Sequence, residues 1–242
     1  NNNKRFFKRN NLASKAYYEM ANSRFNNDDL SGALVEINRS INLNPYYSSS
    51  YNLRGLIEYE KGQTEKALKN FTKAIYLNPN NKLFYINRIK ILKDKNLDIQ
   101  LSKDYDKLLE LDPTLNNIFL QRGIHNIKLL NYDDAISDLN IYLERSKNNS
   151  LAYRNRGILH LNQGNFELAC LDFNKSLNLG DDKTSKLLKY IESKKPNICS
   201  RNLIEIEKKI SKNESNKNLL LNQPKCNKNS YVKFDSQTSC FD

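Results

Sequence analysis

The chain has 242 residues, 38% hydrophobic and 10% aromatic, with a formal net charge of +12. Its 7 glycines and 2 histidines leave little for catalysis: no Walker or dinucleotide loop is present, and neither His125 nor His160 sits in an HExxH motif. No apolar run approaches a membrane span.

The charge is spread along the chain. Residues 1–13 carry +4, residues 14–195 carry +5 and residues 196–242 carry +3. A nucleic-acid binder would instead concentrate it in a continuous basic stripe. The bias reads as solubilising.

In chain order, residues 1–13 form a basic N-terminal arm. Residue 1 is not Met, and Asn1–Leu12 has no apolar core of the signal-peptide kind. From Ser14 onward one pattern recurs at a constant period, in segments 14–47, 48–81, 82–115, 116–149 and 150–183. Position 4 of each is Tyr17, Tyr51, Tyr85, Phe119 or Tyr153. Position 8 is Ala21, Gly55, Ile89, Gly123 or Gly157. Position 20 is Ala33, Ala67, Leu101, Ala135 or Ala169. Position 24 is Ile37, Phe71, Tyr105, Leu139 or Phe173. Pro45, Pro79 and Pro113 hold position 32.

A fixed period of this length marks stacked helical hairpins. Small residues at positions 8 and 20 let two antiparallel helices approach. Large residues at 4 and 24 fill the space around them at helical spacing. Proline has no N–H and disfavours helix in the preceding residue, so breaks fall near Pro45, Pro79 and Pro113. Ile89 and Leu101 should loosen the third pair. The carboxylates of Asp28, Asp29, Asp133 and Asp134 suit the free N–H groups at helix starts.

Residues 184–195 read as a capping helix, with Leu187, Leu188 and Ile191 on its apolar face and Pro196 ending it. Residues 196–242 form a polar tail, with a short helix at Ile204–Ile210 and otherwise too little apolar content to hold a fold. Cys170, Cys199, Cys226 and Cys240 show neither a CxxC pair nor a disulfide framework. Cys170 is expected to be an inert buried thiol, and a reducing, cytoplasmic setting is expected.

Two polar rows share the period. Arg54, Arg88, Arg122 and Arg156 hold position 7. Asn70, Asp104, Asp138 and Asp172 hold position 23 of the same repeats. A partly buried guanidinium needs a planar acceptor, and a carboxylate supplies one. The expectation is structural pairing, within a repeat or with the next; the alternative is a row gripping an acidic ligand.

The recurring residues at positions 4, 8, 20, 24 and 32 resemble the tetratricopeptide repeat over about residues 14–195. The resemblance implies an all-α, right-handed superhelical solenoid of five antiparallel hairpins plus the capping helix. It also implies a concave groove lined by positions 2, 5, 6, 9, 12 and 13 of each first helix. Position 6 then carries Glu19, Leu53, Asn87, Gln121 and Asn155. The groove residues expected to meet a ligand are Asn22, Asn52, Asn87, Lys90, Gln121, Ile124, Arg154, Asn155 and Ile158, a mixture of amides, cations and apolar groups. Amides suit a peptide backbone because each offers a donor and an acceptor. The family's chaperone carboxylate clamp is not expected. Its five positions here are Tyr18, Asn22, Leu53, Leu83 and Asn87, of which only Asn22 matches.

The implied function is a non-enzymatic scaffold for a protein or peptide, with no catalytic residue, metal or cofactor. The alternative is binding to nucleic acid or an anionic surface through Arg5, Lys8, Arg9 and the tail lysines.

Overall fold

The period resolves into helix pairs whose boundaries are set by two short motifs. In the computed structural model, the backbone of residues 2–199 and the side chains of residues 9–199 are described. The expected tail beyond residue 199, the Ile204–Ile210 helix, Cys226 and Cys240 lie outside the described residues, as do the side chains of Arg5 and Lys8.

The chain divides into two compact units, Asn1–Thr114 and Leu115–Asp242. The first contains α1 (Asn2–Asn26), α2 (Leu30–Leu43), α3 (Ser48–Glu60), α4 (Thr64–Leu77), α5 (Lys82–Asp94) and α6 (Asp98–Leu111). The second contains α7 (Asn116–Lys128), α8 (Tyr132–Arg145), α9 (Ser150–Asn162), α10 (Phe166–Asn178) and α11 (Thr184–Lys194). There is no strand among the described residues. Within each unit every helix packs on the next. Residues 2–13 continue into the first repeat as one helix, so no break separates an arm from it.

The first motif closes each of the first three repeats. α2, α4 and α6 end at Leu43, Leu77 and Leu111, two residues before Pro45, Pro79 and Pro113. The intervening Asn44, Asn78 and Asp112 each accept, through Oδ1, the N–H two residues on: Tyr46 at 3.0 Å, Asn80 at 3.3 Å and Thr114 at 3.0 Å. This Asx turn redirects the chain where proline forbids more helix.

The second motif joins the helices of each pair. Position 15 has positive φ in all five repeats: Asp28 at 61°, Gly62 at 72°, Asn96 at 52°, Leu130 at 64° and Gly164 at 77°. The following N–H returns to the carbonyl five residues earlier, as in Gln63 to Glu58 (2.8 Å) and Asn131 to Asn126 (2.9 Å). This is a Schellman ending, which glycine or asparagine enters without strain and leucine does not. Asp29 then caps α2 by accepting the Gly32 N–H at 2.8 Å.

Helix spacing follows the residue at position 8. A Cβ on Gly55 would lie 2.6 Å from the Phe71 ring, and one on Gly157 would lie 2.6 Å from the Phe173 ring. Each glycine therefore seats the position-24 aromatic of its own repeat. In the third repeat Ile89 and Leu101 occupy both small positions and are buried, and the backbones of α5 and α6 lie farther apart than in the other pairs.

The end of the second unit departs from expectation. Cys170 is not a free thiol: it forms a disulfide with Cys199. Pro196 ends α11, and Asn197 turns the chain back with φ 65°. The Glu192 carboxylate accepts the N–H of Asn197 at 2.6 Å and of Cys199 at 2.8 Å. Ile198 is thereby buried with Ile158, Cys170, Phe173, Leu187 and Ile191. Burying one isoleucine contributes about 2 kcal/mol, and each of four hydrogen bonds about 1 kcal/mol: the two to Glu192, Lys195 N–H to the Ile191 carbonyl (2.8 Å) and Ile198 N–H to the Lys195 carbonyl (3.3 Å). Ordering five residues costs about 5–10 kcal/mol. The terms nearly cancel, so the covalent bond decides whether this segment stays down. The pairing also removes the ground on which a reducing compartment was expected.

Candidate functional site

The two polar rows form braces. Arg88 on α5 donates from Nε and Nη2 to the two oxygens of Asp104 on α6, at 2.8 and 2.6 Å. Its Nη1 reaches Thr72 Oγ1 on α4 at 3.1 Å. Arg54 donates twice to Asn70 Oδ1 (3.0 and 2.8 Å) and once to Asn38 (3.1 Å). Arg122 holds Asp138 at 2.9 and 2.7 Å. Arg156 holds Asp172 at 2.8 and 2.7 Å and reaches Asn140 at 2.7 Å. Each of these arginines thus meets its own repeat's second helix. Arg54, Arg88 and Arg156 also reach the second helix of the preceding repeat. None of the three is available to an acidic ligand. The acceptors Asn38, Thr72 and Asn140 all hold position 25 of their repeats, a periodic signal that a search limited to charged partners passes over.

His160 lies against the last brace, with Nε2 3.9 Å from Asp172 Oδ2. Burial, reinforced by the Arg156 charge, pushes its pKa down to about 3. A carboxylate this close would ordinarily raise it, but Arg156 already occupies both Asp172 oxygens. The imidazole is therefore neutral, and its buried Nδ1 makes no hydrogen bond. Burial also pushes the Asp172 carboxyl up, against the pull of Arg156. His125 is buried on α7. No cluster of potential metal ligands occurs among the described residues.

The expected groove residues fall into two sets, one in each unit. In the first unit, Asn87 Nδ2 on α5 donates to Asn52 Oδ1 on α3 at 2.9 Å. One turn along α5, the Lys90 ammonium stands 4.4 Å from the centre of the Tyr59 ring of α3. Leu83 and Ile86 share the Asn87–Lys90 face of α5 at helical spacing, and Leu83 is 57% exposed. Asn22 is half-buried on α1. Near it, Tyr18 packs edge-on against Tyr47 with centroids 5.4 Å apart, and burial raises the pKa of both phenols.

In the second unit, Gln121, Ile124 and Asn155 are half-buried. Arg154 is held by Asp181 at 2.5 Å, in the turn before α11. Ile158 is 3% exposed and belongs to the core under α11 and Ile198, so it presents no surface to a ligand. The capping segment covers it, and that coverage depends on a return of the chain that local spacing does not encode. Pairing of Asn52 with Asn87 was equally hidden, because it joins position 5 of one repeat to position 6 of the next.

No helix among the described residues is long and apolar enough to cross a membrane. The family model described as "Tetratricopeptide repeat" matches residues 48–81. No curated protein matches the sequence. Among solved structures, YrrB, a TPR protein with an unusual peptide-binding site, is similar at TM-score 0.63 and 19% identity, covering 72% of this chain and 90% of that one. MamA is similar at TM-score 0.60 and 14% identity, covering 72% and 94%. A second MamA structure, from AMB-1, gives TM-score 0.61 and 16% identity, covering 73% and 97%. The paired helices, the one matched repeat and these likenesses agree on the fold: residues 48–81 match a tetratricopeptide repeat, and the chain is an all-α helical-repeat protein similar to tetratricopeptide solenoids.

Proposed function

We propose that the protein is a non-enzymatic scaffold that binds an extended peptide segment of a partner protein, and that the first unit holds the principal contact. The observation that carries this reading is the Asn52–Asn87 amide pair. Their mutual bond uses one oxygen and one N–H, leaving the Asn52 amide nitrogen and the Asn87 oxygen without a partner among the described residues. A spare donor beside a spare acceptor matches the C=O and N–H of a peptide main chain. Leu83 and Ile86 offer apolar contact on the same face, and Lys90 offers a cation. In the second unit Gln121, Ile124 and Asn155 extend the candidate surface, whereas Arg154 is engaged by Asp181 and Ile158 is covered.

The fold class supports the reading, since tetratricopeptide solenoids serve as interaction scaffolds and YrrB, of similar fold, has an unusual peptide-binding site. The test is an oriented library of labelled octapeptides presented to the full chain at several salt concentrations. Retention of a subset with weak salt dependence is expected. If binding falls steeply with salt and a single-stranded oligonucleotide competes fully, phosphate recognition through Arg5, Lys8, Arg9 and the tail lysines replaces this reading.

A further inference from the structure

We infer that residues 195–199 are a redox-operated strap: joined Cys170 and Cys199 hold it closed, and a thiol reductant releases it, opening the apolar seat that Ile198 fills beside Ile158. The strap's parts are all in place. Pro196 stops α11, Asn197 reverses the chain, and Glu192 accepts two backbone N–H groups from the turn. Ile198 is 6% exposed and lies in the cluster that contains Ile158 and Ile191. One apolar side chain, four hydrogen bonds (two to Glu192, Ile198 N–H to the Lys195 carbonyl and Lys195 N–H to the Ile191 carbonyl) and the Lys195 ammonium over the Phe166 ring only about offset the entropy of ordering the segment. The constraint that tips this balance is the sulfur–sulfur bond.

The two cysteines are unequal. Cys170 is fully buried on α10, whereas Cys199 is half-buried at the strap's end. Attack therefore falls on Cys199. A thiolate of an external dithiol bonds to Cys199 Sγ, the Cys170–Cys199 bond breaks, and Cys170 leaves as a thiolate that takes a proton. The second sulfur of the dithiol then displaces Cys199. Two electrons and two protons have passed to the protein, and the dithiol has become a disulfide. A small-molecule disulfide run through the same exchange closes the strap again. Opening bares an apolar surface at the end of the last repeat, where an apolar side chain of a partner can take the place of Ile198.

The experiment uses the full chain with Cys226→Ser and Cys240→Ser, so that only the pair reports. Hydrogen exchange is followed by mass spectrometry before and after dithiothreitol, alongside N-ethylmaleimide labelling. The expected result is at least tenfold faster exchange over residues 195–199 on reduction, with α7 and α8 unchanged and Cys170 alkylated only in the reduced form. Cys199→Ser should reproduce the reduced pattern without reductant. The inference is overturned if strap exchange stays within twofold, or if α7–α11 all accelerate equally, which would make the bond a staple for the whole unit. It also fails if both thiols alkylate in denatured protein that was never reduced.

Discussion

Arg88 and Asp104 lock α5 to α6 through two parallel hydrogen bonds, with side chains only 7% and 1% exposed. The same guanidinium reaches Thr72 on α4, so one residue ties two repeats together. Removing the acceptor strands a buried cation. Asp104→Ala should cost about 3–5 kcal/mol in urea unfolding. Asp104→Asn should cost much less, because Asn70 already serves Arg54 through a single oxygen. Arg88→Leu combined with Asp104→Leu should lose less than the two single changes added together. A fully additive result would remove the brace.

His160 gives a pH signature. Its folded pKa of about 3 lies below its ordinary 6.5. Between those values the unfolded chain binds a proton that the folded chain refuses, so stability falls as pH falls through 6.5. His160→Leu should reduce the stability lost between pH 8 and pH 5 by about 2 kcal/mol. Denaturation midpoints at the two pH values check this, and parallel losses in both proteins would contradict it.

Leu130 holds a left-handed conformation at φ 64° on an exposed turn. That conformation costs about 1–2 kcal/mol for a side-chain-bearing residue, while glycine loses about 0.5–1 kcal/mol more entropy on folding. Leu130→Gly should therefore raise stability by up to about 1 kcal/mol. Gly62→Ala, at φ 72° with open space around it, should lower it by a similar amount. Thermal melts of both variants decide the matter; a loss in Leu130→Gly would contradict the strain.

Position 8 separates tight from tolerant contacts. An added Cβ meets the Phe71 ring at 2.6 Å from Gly55, but nothing nearer than 3.3 Å from Gly123. Gly55→Ala should cost about 1–3 kcal/mol by overpacking. Gly123→Ala should be near neutral, because alanine's better helix propensity, about 1 kcal/mol, offsets a small shift. Equal costs would show that ring seating does not set the α3–α4 spacing.

Much of this architecture is legible in the sequence because local chemistry repeats. Tyr51, Gly55, Ala67 and Phe71 announce a helix pair, Pro45, Pro79 and Pro113 mark where pairs end, and Arg88 and Asp104 stand at positions 7 and 23 of one repeat, as facing positions require. The site was less legible. Asn52 and Asn87 meet only because adjacent first helices are offset by one position. Ile158 occupies a groove position by register, yet Ile198 covers it after a chain reversal at Asn197. Cys170 and Cys199 lie 29 residues apart with α11 between them, and only the packing of that helix brings them together. Leu130 was hidden for another reason: its turn tolerates strain that composition would not propose.

Under the proposed function, the Asn52–Asn87 amide pair recognises peptide main chain. The most direct measurement is the affinity of Asn52→Ala/Asn87→Ala for a peptide selected by the wild-type protein, read by fluorescence anisotropy beside a thermal melt. Half-buried surface amides hold little folding energy, so the melting temperature should stay nearly unchanged. Loss of two peptide hydrogen bonds, at about 1 kcal/mol each, should weaken binding about 10- to 30-fold. Unchanged affinity in a folded double variant would contradict the account.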